Sequence, residues 1–313
     1  MRAIRVHRFG GIEEMALEEV PVPTPGEGEV LVRVAAAGVG PWDAYVRSGT
    51  SVLGQKVPLT PGSDISGVVE RVGPDVKDLA PGDEVYGATN GLFTGGYAEH
   101  AIARASMLAP KPTRMSHVEA AAVPVVGVTA WEMVFEHARV APGQRVLVHG
   151  GAGSLGAIIV QLASRAGAHV VATAHARDLD EVLRLGAREV IDPKTTRFED
   201  RARDVDVVLD TVGGETLARS LEIVKQGGIV VSAASQPDAA RAAARGVRAL
   251  YFIVKVSRET LSRLAERIDR GELVVRVGEV LPLAEARAAH EMLAGKPHRR
   301  GKIVLTTEAA APA

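Results

Sequence analysis

Residues 145–156 read Arg-Val-Leu-Val-His-Gly-Gly-Ala-Gly-Ser-Leu-Gly, and this stretch decides the fold. Arg145–His149 is a short apolar run suited to a buried strand. Gly151, Gly153 and Gly156 spell G-x-G-x-x-G around Ser154 and Leu155, and Ala157–Ala163 opens an apolar helix. Strand, glycine turn and helix in that order form the context in which the motif binds a dinucleotide. The first glycine makes the turn, the second admits a pyrophosphate, and the third lets helix and strand pack. The helix N-terminus offers free N–H groups and the positive end of its dipole. Gly151, Gly153, Ser154, Leu155 and Gly156 are therefore candidate cofactor-binding residues. An ordinary glycine-rich turn is the weaker reading.

Outward from this stretch, strand and helix patterns alternate. Strands are predicted at Val146–Val148, Val170–Thr173, Val190–Ile191, Val205–Leu209, Ile229–Ser232 and Ala249–Ile253, with helices near 154–166, 178–185, 215–225 and 238–244. Such alternation predicts a doubly wound parallel sheet. Residues 127–253 are thus expected to form a Rossmann dinucleotide-binding domain. Residues 1–126 instead carry short Val-rich runs broken by Gly/Pro turns, which suggests a small barrel or sandwich. Residues 254–313 do not continue the alternation and are expected to complete the first domain, with 308–313 as a frayed tail.

The second strand bears on the cofactor. NAD-preferring sites place an acid about 20 residues after the glycines, on the ribose 2′-hydroxyl. Here Thr173 is followed by Ala174, His175, Ala176 and Arg177. No carboxylate stands at the strand end, and Arg177 is suited to grip a 2′-phosphate. This points to NADPH, with Thr173 and His175 as further donors; the competing reading leaves Arg177 solvated beside Asp178. Thr211, Val212, Ser232 and Ala233 follow the fourth and fifth strands, where ligands of open sheets bind.

The chain is long enough for two domains. Its net charge of −1 gives no reason to expect nucleic acid. It has no cysteine, which removes disulfides and thiolate metal sites. No apolar run approaches a membrane span and no signal core opens the chain, so a cytoplasmic location is expected.

Several stretches in order resemble the medium-chain dehydrogenase/reductase superfamily, within it the zinc-independent NADPH quinone oxidoreductase-like group. They include Gly26–Val34, Asp43–Gly49, Pro61–Val69, Gly82–Gly87, Gly95–Glu99, the glycine motif, Asp210–Gly214 and Arg300–Leu305. The resemblance implies a GroES-like, mostly β domain joined to the Rossmann domain, with the active site in the cleft between them. Zinc members carry a Cys where Gly38-Val39-Gly40 stands and a His-Glu pair where Ser63-Asp64 stands, so no metal is expected.

Without zinc, the chemistry expected is hydride transfer from NADPH to a quinone or an α,β-unsaturated carbonyl. Tyr45 is the candidate catalytic residue, a phenol able to donate to the developing oxyanion. A core aromatic capped by a backbone partner is an equal reading. Asp43 and Arg47 are read as a local structural pair. Trp42, Phe93, Met133, Phe252 and Val254 are candidate pocket-lining groups. The resemblance places Thr129 at the nicotinamide, with a helix-interior hydroxyl as the alternative, and Lys302 is read as able to reach the cofactor from the closing strand. Relatives carry Asn where Gly40 stands, near the nicotinamide ribose, so Trp42 or a water is expected to take that space. A tyrosine that helps to hold the 2′-phosphate is replaced by Asp192-Pro193, with Lys194 as a substitute. Family members pair the last Rossmann strand across a two-fold, so a homodimer through about residues 247–256 is expected. An enoyl or tailoring reductase and a non-catalytic NADPH-binding protein are the alternatives.

Overall fold

The computed structural model describes residues 1–307, so the expected fraying of 308–313 lies outside it. The chain divides into two compact units, one comprising Met1–Val128 and the chain from Lys255 onward, the other Thr129–Val254.

In the first unit, β1 (Arg2–Val6) and β2 (Met15–Glu19) form an antiparallel hairpin. The larger sheet contains β3 (Glu29–Val39), β4 (Asp64–Val72), β5 (Glu84–Ala88), β6 (His100–Arg104) and β7 (Leu108–Pro110). The centre is β3, which pairs antiparallel with β4, with Val34 opposite Gly67, and with β6. Its first half points Val30, Val32 and Val34 into a core shared with Ile4, Val6, Ile65, Val85 and Tyr97. Its second half is small, Ala35-Ala36-Ala37-Gly38, because other chain lies close against it. A Cβ on Gly38 would sit 2.3 Å from the Ala121 carbonyl oxygen. Ser116 and Glu119 cap each other's backbone at the start of the short helix there.

The second unit carries β8 (Arg145–Val148), β9 (His169–Thr173), β10 (Glu189–Ile191), β11 (Val205–Asp210), β12 (Val224–Ser232) and β13 (Arg248–Tyr251). All are parallel, in the order β10-β9-β8-β11-β12-β13. Val146, Leu147, Val148, Val170, Val171, Val208, Leu209, Val230 and Val231 are fully or nearly fully buried, as expected of strands covered on both faces. The order reverses between β8 and β11, and the crevice outside that reversal is where such sheets bind ligands. The helix after the glycines runs Ser154–Arg165 and buries Ile158, Ile159, Val160, Leu162 and Ala163.

The helix expected to about 225 ends at Ser220, because β12 already begins at Val224. Glu132–His137 is a π-helix following the α-helix Pro124–Trp131. In the C-terminal segment the pairing lies in β14 (Val277–Pro282), parallel to β15 (Lys302–Thr306). That last strand joins β3, with Ile303 opposite Val39, so the C-terminal segment belongs to the first sheet.

Candidate active site

In the second unit the glycine turn is held from within. Gly150, not Gly151, takes the left-handed conformation at φ +73°. Its N–H donates to Thr173 Oγ1 at 3.1 Å. Gly151 is required for a different reason, since a Cβ there would meet Ala172 Cβ at 2.9 Å. Gly156 faces the turn itself, and a Cβ there would lie 2.1 Å from the Gly150 carbonyl oxygen. Gly153 has only that oxygen nearby, at 3.3 Å, and no side chain caps the helix N-terminus behind it. The uncapped N-terminus and its side-chain-free approach fit a pyrophosphate.

His149 links the turn to the sheet, which the sequence did not suggest. Ser220 Oγ donates to the Thr216 carbonyl at 2.7 Å, so its other contact, His149 Nε2 at 2.9 Å, donates to it. That tautomer leaves His149 Nδ1 to accept from Thr173 Oγ1 at 3.3 Å. Burial pushes the His149 imidazole down to about 4, so it stays neutral. Thr211 Oγ1 donates to the His149 carbonyl at 2.7 Å.

These contacts commit the hydroxyls of two candidate residues within the protein. The Thr173 hydroxyl is used inside the turn and does not face a phosphate. The Ser232 hydroxyl is likewise internal, donating to Asp210 at 2.7 Å. Asp210 also accepts from the N–H groups of Val212 and Gly213 and so shapes the turn after β11. Val212 is exposed and Ala233 half-buried at the carboxyl ends of β11 and β12. Arg177 has a side chain 75% exposed, 3.7 Å from Asp178. Thr129 and Met133 are buried, and Met133 belongs to the interior rather than to a pocket wall. Phe252, half-buried, lies with its ring 4.4 Å from that of His137, and Val254 is half-buried beyond it.

The first unit holds a second set of polar groups, on the helix Pro41–Ser48 and the strands beneath it. Tyr45 is 57% exposed, which excludes the core-aromatic reading. Asp43 and Arg47 do not pair with each other. Asp43 Oδ2 accepts from Gly40 N–H and Tyr97 O–H, both at 2.8 Å. Arg47 donates to the Gly10 carbonyl and to His290 Nδ1. Phe93 is buried, in a turn at φ +55°.

The Trp42 ring fills the space that a side chain at Gly40 would need; a Cβ there would lie 2.3 Å from Cη2 of the indole. Trp42 Nε1 donates to Ser63 Oγ at 3.1 Å. Lys302, read from the sequence as able to reach the cofactor, is 3% exposed, with its ammonium 3.0 Å from Asp64 Oδ2 and 4.2 Å from the Trp42 ring centre. Asp64 Oδ1 accepts from Val125 N–H. Two buried carboxylates therefore share one buried ammonium. A separate cavity of about 560 Å³ is lined by Arg5, Lys56, Leu59, Asn90, Thr94 and His100, and by none of the predicted pocket residues.

Burial pushes the Asp43 carboxyl up to about 7, against its bonds from Gly40 and Tyr97 and the nearby Lys302 ammonium. A carboxyl raised above its unfolded value near 3.9 favours the folded state most at low pH. That contribution is complete below about pH 4 and is lost as the pH rises through about 7. Asp43→Asn is therefore expected to gain stability relative to the parent between pH 5 and 8. Melting temperatures across this range test it; a difference that does not change with pH would refute it.

Family models match at residues 26–113, the alcohol dehydrogenase GroES-like domain, and at 185–305, zinc-binding dehydrogenase. Quinone oxidoreductase of Mus musculus is 32% identical, with 97% of each chain covered. The structure of quinone oxidoreductase from Coxiella burnetii superposes with a TM-score of 0.91 at 30% identity, covering 98% of this chain and 99% of that one. Escherichia coli quinone oxidoreductase complexed with NADPH superposes at 0.88 with 27% identity, covering 98% and 100%. The fold is a GroES-like domain with a doubly wound parallel-sheet domain, that of an oxidoreductase. The chain belongs to the medium-chain dehydrogenase/reductase superfamily, related over nearly its whole length to quinone oxidoreductases. No three His, Cys, Asp or Glu side chains converge among the described residues, and none of the described helices is long and apolar enough to cross a membrane.

Proposed function

We propose that the protein transfers hydride from NADPH to a quinone or an α,β-unsaturated carbonyl compound, without zinc. The observation that carries this reading is the uncapped turn Gly150–Gly156, which admits a pyrophosphate where side chains would exclude it. When bound, the dinucleotide supplies the hydride. Arg177, exposed beyond β9, is a cation available to a 2′-phosphate, with Lys194 beside it. Where zinc relatives carry ligands, this chain has Gly38, Gly40, Ser63 and Asp64, and Asp64 is committed to Lys302. Tyr45 holds the phenolic proton for the acceptor oxygen. Its exposure supports that role, because no internal partner has to be given up.

Loss of NADPH absorbance with naphthoquinone, phenanthrenequinone and simple enones tests the reading. Tight NADPH binding with no acceptor reduced would leave a binding protein. Tyr45→Phe is expected to lower kcat by about 10²-fold, in the range of a lost general acid, with melting temperature unchanged; an unchanged rate would remove Tyr45 from the mechanism. The exposed Tyr251, at the end of the edge strand β13, and Ile253 just beyond it support a homodimer through this segment. Light scattering at micromolar concentration is expected to give twice the chain mass.

A further inference from the structure

We propose that Asp192 sets the dinucleotide preference, supplying from the end of β10 the carboxylate that the end of β9 lacks, so that the protein accepts NADH as well as NADPH. This rests on the reading that the glycine turn holds a nicotinamide dinucleotide. In sheets of this kind the residue just after the second strand reads the adenosine ribose at its 2′ position. Here that segment is Ala174–Arg177, which carries no acid of its own. β10 runs parallel beside β9, with Ile191 opposite Thr173, so the residue following Ile191 emerges beside the residues following Thr173. Asp192 Oδ2 accepts from Ala176 N–H at 3.0 Å, and Oδ1 accepts from Lys194 N–H at 2.9 Å. His175 Nδ1 lies 3.9 Å from Oδ1. The carboxylate is thus anchored on the segment that reads the ribose.

An ionised carboxylate has about four acceptor positions, and the two backbone donors take one on each oxygen. The remaining positions suit a ribose hydroxyl. The backbone bonds from Lys194 and Ala176 hold the group below the usual carboxylate range, so it stays charged. A fixed negative charge here opposes a 2′-phosphate, and Arg177 and the Lys194 side chain are the cations of this segment that offset it. The gain that the sequence assigns to a missing acid is in this way largely cancelled by the neighbouring strand.

Fluorescence or calorimetric titration of the intact protein with NADH and with NADPH provides the test, without any acceptor. The two dissociation constants are expected to lie within about tenfold of each other. Asp192→Asn and Asp192→Ser, which keep an acceptor atom for the turn, are expected to tighten NADPH by about tenfold and to leave NADH unchanged or weaker. A parent preference for NADPH above about 100-fold, or variants that shift both ligands equally, would overturn the proposal while leaving the dinucleotide reading intact. Failure of both dinucleotides to bind would instead remove the reading of the glycine turn, and this inference with it.

Discussion

Lys302→Met is expected to destabilise the first unit by about 3–5 kcal/mol at pH 8, the range for breaking a buried ion pair from one side. The ammonium is the cation facing both Asp64 and Asp43, which are fully buried. Methionine fills much of the same volume, so the loss is electrostatic rather than a cavity. The contact with the Trp42 ring is lost as well. At about 2–4 °C per kcal/mol for a unit of this size, the melting temperature should fall by roughly 6–20 °C. Burial already raises the Asp64 carboxyl, so the deficit should shrink at pH 5, where protonation removes the unpaired charge. Lys302→Met with Asp64→Asn should recover part of the loss, because Asp64 then strands no charge while Asp43 still lacks its cation. A single variant as stable as the parent at pH 8 would show that water reaches the pair.

Gly156→Val is the second large effect. A Cβ at this position would meet the Gly150 carbonyl oxygen at 2.1 Å and its carbon at 2.7 Å, and both are backbone atoms that cannot swing aside. The helix Ser154–Arg165 must then move off the turn. Dinucleotide binding is expected to weaken by more than about 100-fold, some 2.7 kcal/mol or more, with a lower melting temperature. Gly153→Ala separates a ligand effect from a folding effect. Its Cβ meets only one atom, at 3.3 Å, and the residue is exposed. Melting temperature should hardly change while NADPH binding weakens. Titration of both variants, with unfolding curves alongside, checks this contrast. Unaltered NADPH affinity in Gly153→Ala would place the pyrophosphate elsewhere.

The parallel sheet was legible because strands covered on both faces are apolar throughout, and the left-handed turn at Gly150 favours glycine. Val146–Val148 and Val205–Leu209 could hardly be read otherwise. The site was legible only as positions. Thr173, Ser232 and Lys302 carry groups that bind ligands elsewhere, and composition cannot tell an outward hydroxyl from one consumed by Gly150 N–H or Asp210. Asp43 and Arg47 sit one helical turn apart, which suggests a pair; yet each finds a partner distant in sequence, Tyr97 and His290.

The sequence by itself determined the strand–glycine–helix unit, the alternation of the second unit and the lack of thiolate ligands, because these follow from local periodicity, backbone freedom and residue chemistry. Only the tertiary structure decided which glycine turns, where Lys302 spends its charge, and that Trp42 fills the space beside Gly40. It also brought Asp192 to Ala176 across sixteen residues of chain. Strand order sets such meetings, and strand order is fixed by packing over the whole sheet rather than by any one segment.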